Sequence, residues 1–326
     1  MLTQKLDASS ADDLQRAESI LREGGLLAVP TETVYGLAAD ASNAEAVNAI
    51  FAAKGRPADH PLIVHIASFE EVENWATDIP PEAQALAAAF WPGPLTILLK
   101  KANRVPTVVT GGLSTIGLRV PSHTVLHRLL VKTGLGLAAP SANPYKQLSP
   151  TSASQVLEKL DGKIDGVLEG GDCQLGVEST ILDLSGKVPQ ILRVGPILPS
   201  EISHVLSRPV AAPLHHSVSV SGNVEDHYQP RTSLRLVNRD VMREKLQNPS
   251  ENEAYIVAAN FPQVSKLAHH NVVAMPADSK RFAQSLYRTL NEIDQLGLDV
   301  IWFEQPLETE EWLAVNDRLK KACHND

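Results

Sequence analysis

A mixed α/β fold follows from three features of the chain. Short apolar, β-rich runs alternate with amphipathic helical stretches, Gly and Pro punctuate the joints, and reactive polar residues recur where the apolar runs end. The length of 326 residues corresponds to about two domains at a prior of ~150 residues each. With 43% hydrophobic and 21% charged residues the composition is ordinary globular usage, which excludes a disordered or fibrous chain.

Ser10, ahead of Asp12 and Asp13, caps a helix with Leu14, Ala17 and Leu21 on one face, ending at Gly24-Gly25. Leu26 to Val29 is a buried strand stopped by Pro30. Asn43 caps a second helix that presents Val47, Ile50 and Phe51 on one side and delivers Lys54 to its end. Leu62 to Ile66 is the next strand; Ser68 and Pro81 open helical stretches before Trp91-Pro92-Gly93-Pro94, and Leu95 to Leu99 follows as a strand. Ile116 to Val120, Leu135 to Ala139, Gly166 to Leu168, Ser179 to Leu184 and Gln190 to Val194 are further strands, with helices at 122–132 and 152–160.

Between about 207 and 230 the periodicity stops and Pro, Ser and Gly dominate, as in a linker. The alternation then resumes with strands at 234–237, 254–259, 272–275 and 300–303. A helix after Asp278 carries Phe282, Leu286, Leu290 and Ile293 along one face, and Trp312 and Leu319 belong to a last helix. The expected organisation is a larger α/β domain over 1–206, a linker over 207–231 and a small Rossmann-like α/β domain over 232–326.

The net charge of −9 is spread over both parts, so neither offers the broad basic field of a duplex-binding module. Only Cys173 and Cys323 are present, in no CxxC pair, which gives no support to a zinc site or a disulfide framework. Met1 to Ser10 lacks an apolar h-region and no apolar run approaches the ~18 residues of a membrane span, so a cytoplasmic location is expected. GxxxxGK[ST], GxGxxG, HExxH and GxSxG are all absent.

The polar clusters at strand ends are Thr31-Glu32-Thr33, Lys54 with Arg56 and His60, Arg119 before Pro121, and Ser141 with Asn143. Open α/β sheets bind ligands at such places. Each cluster alone also reads as a turn, a cap or a solvated helix end. Taken together with the wider motifs Pro30-Thr31-Glu32-Thr33-Val34-Tyr35-Gly36-Leu37, Lys54-Gly55-Arg56-Pro57, Pro61 to Ile66, Pro92-Gly93-Pro94, Gly117 to Pro121, Ser141-Ala142-Asn143 and Glu178 to Ile181, they resemble the YrdC-like family. His227-Tyr228-Gln229-Pro230-Arg231 resembles the linker of its long, two-domain form.

The resemblance implies a twisted, open mixed sheet with a deep, positively charged cavity. It implies an enzyme, a nucleotidyltransferase, that joins L-threonine, bicarbonate or CO2, and ATP into L-threonylcarbamoyladenylate and releases pyrophosphate. The product would serve threonylcarbamoyl modification of the adenosine beside the anticodon of tRNAs reading ANN codons, through hand-off to a tRNA threonylcarbamoyl transferase complex. Thr33, His65, Arg119, Ser141 and Ser179 are the implied threonine contacts, with Arg119 suited to the carboxylate by its bidentate fork. Lys54 and Arg56, as the catalytic cations, and Arg193 suit the ATP phosphates, and His60, Thr115, Asn143 and Ser149 complete the nucleotide site. Tyr228 would close over it with the linker. Mg2+ is expected to arrive with ATP and keep most of its waters, with no metal cage made by the protein.

Two other readings stand beside this one. Carbamoyl-adenylate formation, as in hydrogenase maturation proteins, goes with zinc-finger segments that this chain lacks. A non-catalytic RNA-binding or ribosome-assembly module would use the same concave sheet, against the acidic charge balance.

Overall fold

Side-chain caps and turn residues fix the element boundaries of the first part of the chain. Its elements are β1 (Gln4–Asp7), α1 (Ala11–Arg22), β2 (Leu27–Val29), β3 (Gly36–Asp40), α2 (Ala44–Lys54), β4 (Ile63–His65), β5 (Ala76–Thr77), α3 (Pro81–Phe90), β6 (Leu95–Lys101), β7 (Thr115–Arg119), α4 (Thr124–Thr133), β8 (Leu137–Ala138), α5 (Ala153–Leu160), β9 (Gly166–Glu169), β10 (Thr180–Asp183), β11 (Gln190–Arg193) and α6 (Pro199–Leu206). Ser10 accepts from the Asp13 amide at the start of α1, and Asn43 from Glu45 and Ala46 at the start of α2. Gly55 ends α2 in the left-handed region at φ 61°, a conformation that costs glycine little.

This computed structural model describes residues 2–213, 218, 220, 222, 227–262 and 271–323. The chain divides into two units, one of Met1–Tyr145, Ser149–Gln174 and Glu178–Asn223, the other of Lys146–Leu148, Leu175–Val177 and Val224–Asp326. The stretch expected as a linker is therefore shared between them. Of that stretch, 214–217, 219, 221 and 223–226 lie outside the described residues.

The first unit is built on one mixed sheet in the order β1-β9-β2-β3-β8-β4-β7-β6-β10-β11, with β5 on the flank of β6. Parallel pairs β4/β7 and β6/β10 are joined by antiparallel β6/β7, with His65 opposite Arg119 and Thr96 opposite Ile181. Three strands, β1, β3 and the two-residue β5, have no counterpart in the sequence reading. β1 is a polar edge strand whose Gln-Lys-Leu-Asp carries little β signal, and β3 is Gly- and Ala-rich, held by pairing with β2 and β8 instead of by propensity. The segment after Ser68 is a 3-10 turn over Phe69–Asn74, whereas Pro81 does open an α-helix.

Period-2 alternation assigns the two faces of this sheet different work. Val64, Ile97, Leu99, Leu118, Leu182 and Ile191 point into the main core under the helices. Their neighbours Ile63, Leu98, Gly117 and Ile181 line a recess on the opposite face, joined there by Thr96. Val220 lies across this recess and packs with Leu98, Ile181 and Leu192.

The second unit contains β12 (Ser233–Val237), α7 (Arg239–Lys245), β13 (Glu253–Ala258), β14 (Val272–Met275), α8 (Ser279–Asp294), β15 (Val300–Glu304) and α9 (Leu313–Ala322). Its strands form an all-parallel sheet in the order β12-β15-β13-β14. Phe282, Leu286, Leu290 and Ile293 of α8 are buried, as their spacing requires, and Trp312 meets Phe282 edge-on at 5.0 Å.

Candidate active site

His65, Thr96 and Arg119 project from the face opposite the main core, at neighbouring ends of β4, β6 and β7, and the other polar residues join them from the adjoining loops and the end of α2. Backbone bonds bring the separate sequence motifs together there. Gly36 bridges Ser141, the Leu37 amide donates to Pro140, and the Ala142 amide donates to Tyr35, so the turn after β2 and the loop after β8 share one edge.

Arg119, the last residue of β7, is 3% exposed and fixed at three points. Its Nε donates to the Gly93 carbonyl at 3.1 Å, Nη1 donates to Thr33 Oγ1 at 3.2 Å, and Nη2 stands 2.6 Å from Glu32 Oε1. Thr31 organises the turn: its hydroxyl donates to the Val34 carbonyl at 2.6 Å and accepts from the Thr33 and Val34 amides. The Thr33 hydroxyl, 2.9 Å from Thr31 Oγ1, is thereby left to donate to it. Burial alone would raise the Glu32 carboxyl, but the Arg119 charge and hydrogen bond, with backbone N–H groups of Glu32 and Ser122, hold it below the ordinary carboxylate range. His65, paired with Arg119 across β4/β7, is driven down to about 3 by burial and by the Arg119 charge, which together outweigh Glu32 and the Leu137 backbone. Its imidazole is neutral at physiological pH.

A second set of bonds links β6, β10 and β11. Arg193 donates through Nε to the Ser179 carbonyl and through Nη2 to Ser179 Oγ, both at 2.9 Å, and Ser179 Oγ lies 2.8 Å from Thr96 Oγ1. Gly195 makes this approach possible, because a Cβ there would stand 2.3 Å from the Thr180 amide nitrogen and 2.6 Å from the Ser179 carbonyl carbon. Ser149, fully buried, donates to Glu178 Oε1 at 2.7 Å.

Lys54 is 3% exposed at the end of α2, and its ammonium donates to the carbonyls of Ser141 and Asn143, both at 2.5 Å. The Tyr145 amide donates to the Lys54 carbonyl at 2.8 Å, closing the loop onto the helix end. Burial first, and the neighbouring Arg56 charge second, lower the Lys54 ammonium well below its ordinary value. Arg56 Nη2 donates to the Pro61 carbonyl at 3.1 Å, and His60 packs edge-on against Tyr145 at 5.4 Å. Thr115 begins β7 on the same side as Gly117 and Arg119, at the opposite end of the strand from Arg119.

Of the residues expected from sequence, the first unit thus brings Thr33, His65 and Arg119 into one cluster, Ser179 with Arg193 into a second, and Lys54 with the Ser141–Asn143 loop into a third. Tyr228 belongs to the second unit. It is 1% exposed, holds a left-handed φ of 62°, and packs against His227 (4.0 Å), Tyr287 (5.7 Å) and the Arg318 guanidinium (5.5 Å). Thr96 and Tyr145 escaped the sequence reading. A threonine within a β-branched apolar strand, and a tyrosine after Asn143-Pro144, carry no signal apart from their partners.

Among the described residues, no helix is long and apolar enough to cross a membrane, and no group of three or more His, Cys, Asp or Glu side chains is placed to hold a metal ion. Besides Arg119, the basic side chains Lys54, Arg56 and Arg193 lie among the clustered residues, which suits a polyanion.

Residues 19–195 match the Sua5/YciO/YrdC family model described as telomere recombination, and 197–323 match the C-terminal domain of threonylcarbamoyl-AMP synthase. The threonylcarbamoyl-AMP synthase of Pyrococcus abyssi is 40% identical over 321 residues, covering 94% of this chain and 92% of that protein. The Bacillus subtilis synthase is 35% identical over 334 residues, covering 97% and 95%. The crystal structure of P. abyssi Sua5 complexed with L-threonine superposes with a TM-score of 0.89 at 37% identity, over 99% of this chain and 97% of that one. E. coli YciO, at 22% identity, shares the fold over 60% of this chain and 94% of that chain (TM-score 0.51). With both family segments present in order and relatives aligned over nearly their whole length, the chain belongs to the threonylcarbamoyl-AMP synthase family in its two-domain form.

Proposed function

We propose that the first unit makes L-threonylcarbamoyladenylate from L-threonine, bicarbonate or CO2, and MgATP. The observation that carries this reading is Arg119, a buried guanidinium held at three points beside Thr33 and a neutral His65. A fixed planar fork recognises a carboxylate in two-point geometry. Neutral His65 and the Thr33 and Ser179 hydroxyls supply hydrogen-bonding groups for the amine and hydroxyl of threonine without adding charge.

The chemistry needs placement more than a protein nucleophile. The threonine amine, once neutral, adds to CO2 and yields the carbamate with loss of one proton. A carbamate oxygen then bonds to the α-phosphorus of ATP as the bond from that phosphorus to the α,β-bridging oxygen breaks and pyrophosphate leaves. Arg56 and Arg193 are suited to the charge on the phosphates, and Lys54 retains one ammonium N–H beyond its two backbone bonds. In holding Ser141 and Asn143 it also sets the loop those residues bring to the nucleotide. His60, Thr115, Asn143 and Ser149 complete this half. Magnesium is part of the substrate complex in this reading, and the protein contributes cations to the triphosphate, with no acidic cage. Release of a labile acyl-adenylate fits hand-off in the cytoplasm to a transferase complex acting on tRNA.

The test is product formation by purified protein given ATP, Mg2+, bicarbonate and labelled threonine. A threonine-dependent adenylate and stoichiometric pyrophosphate are expected. Their absence, with tight RNA binding instead, would overturn the enzyme reading. Arg119→Ala is expected to lose threonine binding while ATP still binds; equal loss of both in a folded variant would refute the assignment of Arg119.

A further inference from the structure

Among the described residues, Glu32 is the ionised carboxylate in contact with the guanidinium assigned to the threonine carboxylate, and it lies behind that guanidinium. Both its oxygens are closed off from solvent and its side chain is 3% exposed. Its Oε1 lies 2.6 Å from Arg119 Nη2, while Nε and Nη1 are already committed to Gly93 and Thr33. Arg119 would keep its orientation through those two bonds and the strand that bears it, so holding geometry does not demand a formal charge at residue 32.

A full negative charge there does something else. An arginine compensated by an internal carboxylate attracts a second carboxylate less than a bare one does, because the two anions repel across a poorly screened interior. The ligand also gains negative charge as the reaction proceeds: threonine enters as a zwitterion, and its carbamate keeps the carboxylate while losing the ammonium. A site that gripped this carboxylate with an uncompensated buried arginine would hold the threonylcarbamoyl product far more tightly than the substrate.

We propose that Glu32 is a positioning residue that acts through Arg119 as the internal counter-ion of the pocket, lowering its affinity for the threonine carboxylate so that the threonylcarbamoyl adenylate can leave. The proposal rests on the assignment of Arg119 above. It distinguishes two roles that alanine scanning would merge, since Glu32→Gln keeps the shape and one acceptor oxygen while removing the charge and turning the second oxygen into an NH2 donor, whose cost is read in the melting temperature without ligand.

The experiment measures threonine Kd by calorimetry, the thermal shift produced by saturating threonine, and steady-state kinetics, on full-length wild type, Glu32→Gln, Glu32→Asp and Arg119→Ala. Glu32→Gln is expected to melt lower without ligand, to bind threonine about tenfold more tightly, to gain a larger threonine-induced shift, and to turn over more slowly with a lower KM for threonine. The KM for ATP is expected to stay within about twofold of wild type. A residue that only supports the fold would lower the melting temperature and leave the threonine shift unchanged. An unchanged or smaller shift, or weaker threonine binding, overturns the proposal. Should Glu32→Gln fail to fold, Glu32→Asp decides in the same way: drawing the carboxylate back by one methylene is expected to tighten threonine about threefold, and no tightening overturns it. If Arg119→Ala binds threonine as wild type does, the assignment of Arg119 has failed, which is a different outcome from a failure of the Glu32 proposal alone.

Discussion

Acid is expected to destabilise this protein through His65 well before most of its carboxylates titrate. The imidazole is 3% exposed beside Arg119, and its folded-state value of about 3 lies far below the ordinary 6.5. The folded chain therefore binds this proton less tightly than the unfolded chain. Stability contributed by neutral His65 is fully present above pH 6.5 and is lost as pH falls toward 3. The whole interval is worth about 5 kcal/mol, of which about 3 kcal/mol is gone by pH 4.5. Urea unfolding of full-length wild type and His65→Gln at pH 7.5 and 4.5 reads this directly. The glutamine does not protonate, so the variant should lose about 3 kcal/mol less than wild type between the two conditions, while Glu32 and other groups titrate alike in both. Histidine resonances followed by NMR should show His65 neutral throughout. If the two proteins lose stability in parallel to within about 1 kcal/mol, the imidazole is not the buried neutral group described here.

Three further outcomes follow from contacts of the first unit. Thr96→Val keeps the shape of the β6 side chain and removes the hydroxyl 2.8 Å from Ser179 Oγ; a loss of about 1 kcal/mol in stability and a rise of about fivefold in KM for threonine, with KM for ATP unchanged, are expected from kinetics and thermal melts. Gly195→Ala should cost more than about 2 kcal/mol, because its Cβ would meet backbone atoms at 2.3 and 2.6 Å; a melting temperature equal to wild type would mean that the backbone yields there. Lys54→Met retains chain length and loses both carbonyl contacts, so turnover should fall about 100-fold or more in a protein whose far-UV circular dichroism is unchanged.

The alternation of apolar runs with capped helices was sufficient to read most of the first sheet, because residues such as Leu95 to Leu99 combine β-branching with continuous burial. It failed at β3, where Gly36-Leu37-Ala38-Ala39 has weak strand propensity and forms only because β2 and β8 flank it. The short helix α7 escaped for a similar reason: with seven residues and Met242 as its buried residue it shows little periodicity, although Asn238 caps it. At the site, Arg119, Thr33 and Lys54 were legible as polar residues at strand and helix ends. What Lys54 holds was not. Its partners are backbone carbonyls 87 and 89 residues away, and a main-chain acceptor leaves no mark in the side-chain sequence. Glu32 was legible as a residue without its role being so, since a threonine-flanked glutamate in a turn reads equally as a local cap.

The strands that carry the pocket also carry the core, one residue out of step. In β4 and β7, Val64 and Leu118 face the interior while His65 and Arg119 face the ligand side. Inserting or deleting a single residue in either strand would exchange the two sets, burying a guanidinium among leucines and turning an aliphatic core side chain into the pocket. Length changes in these segments are therefore barred twice over, once by folding and once by chemistry. Diversification of this unit is channelled into point substitutions on the strands and into length variation of exposed turns such as 186–188, where neither set of side chains depends on the register.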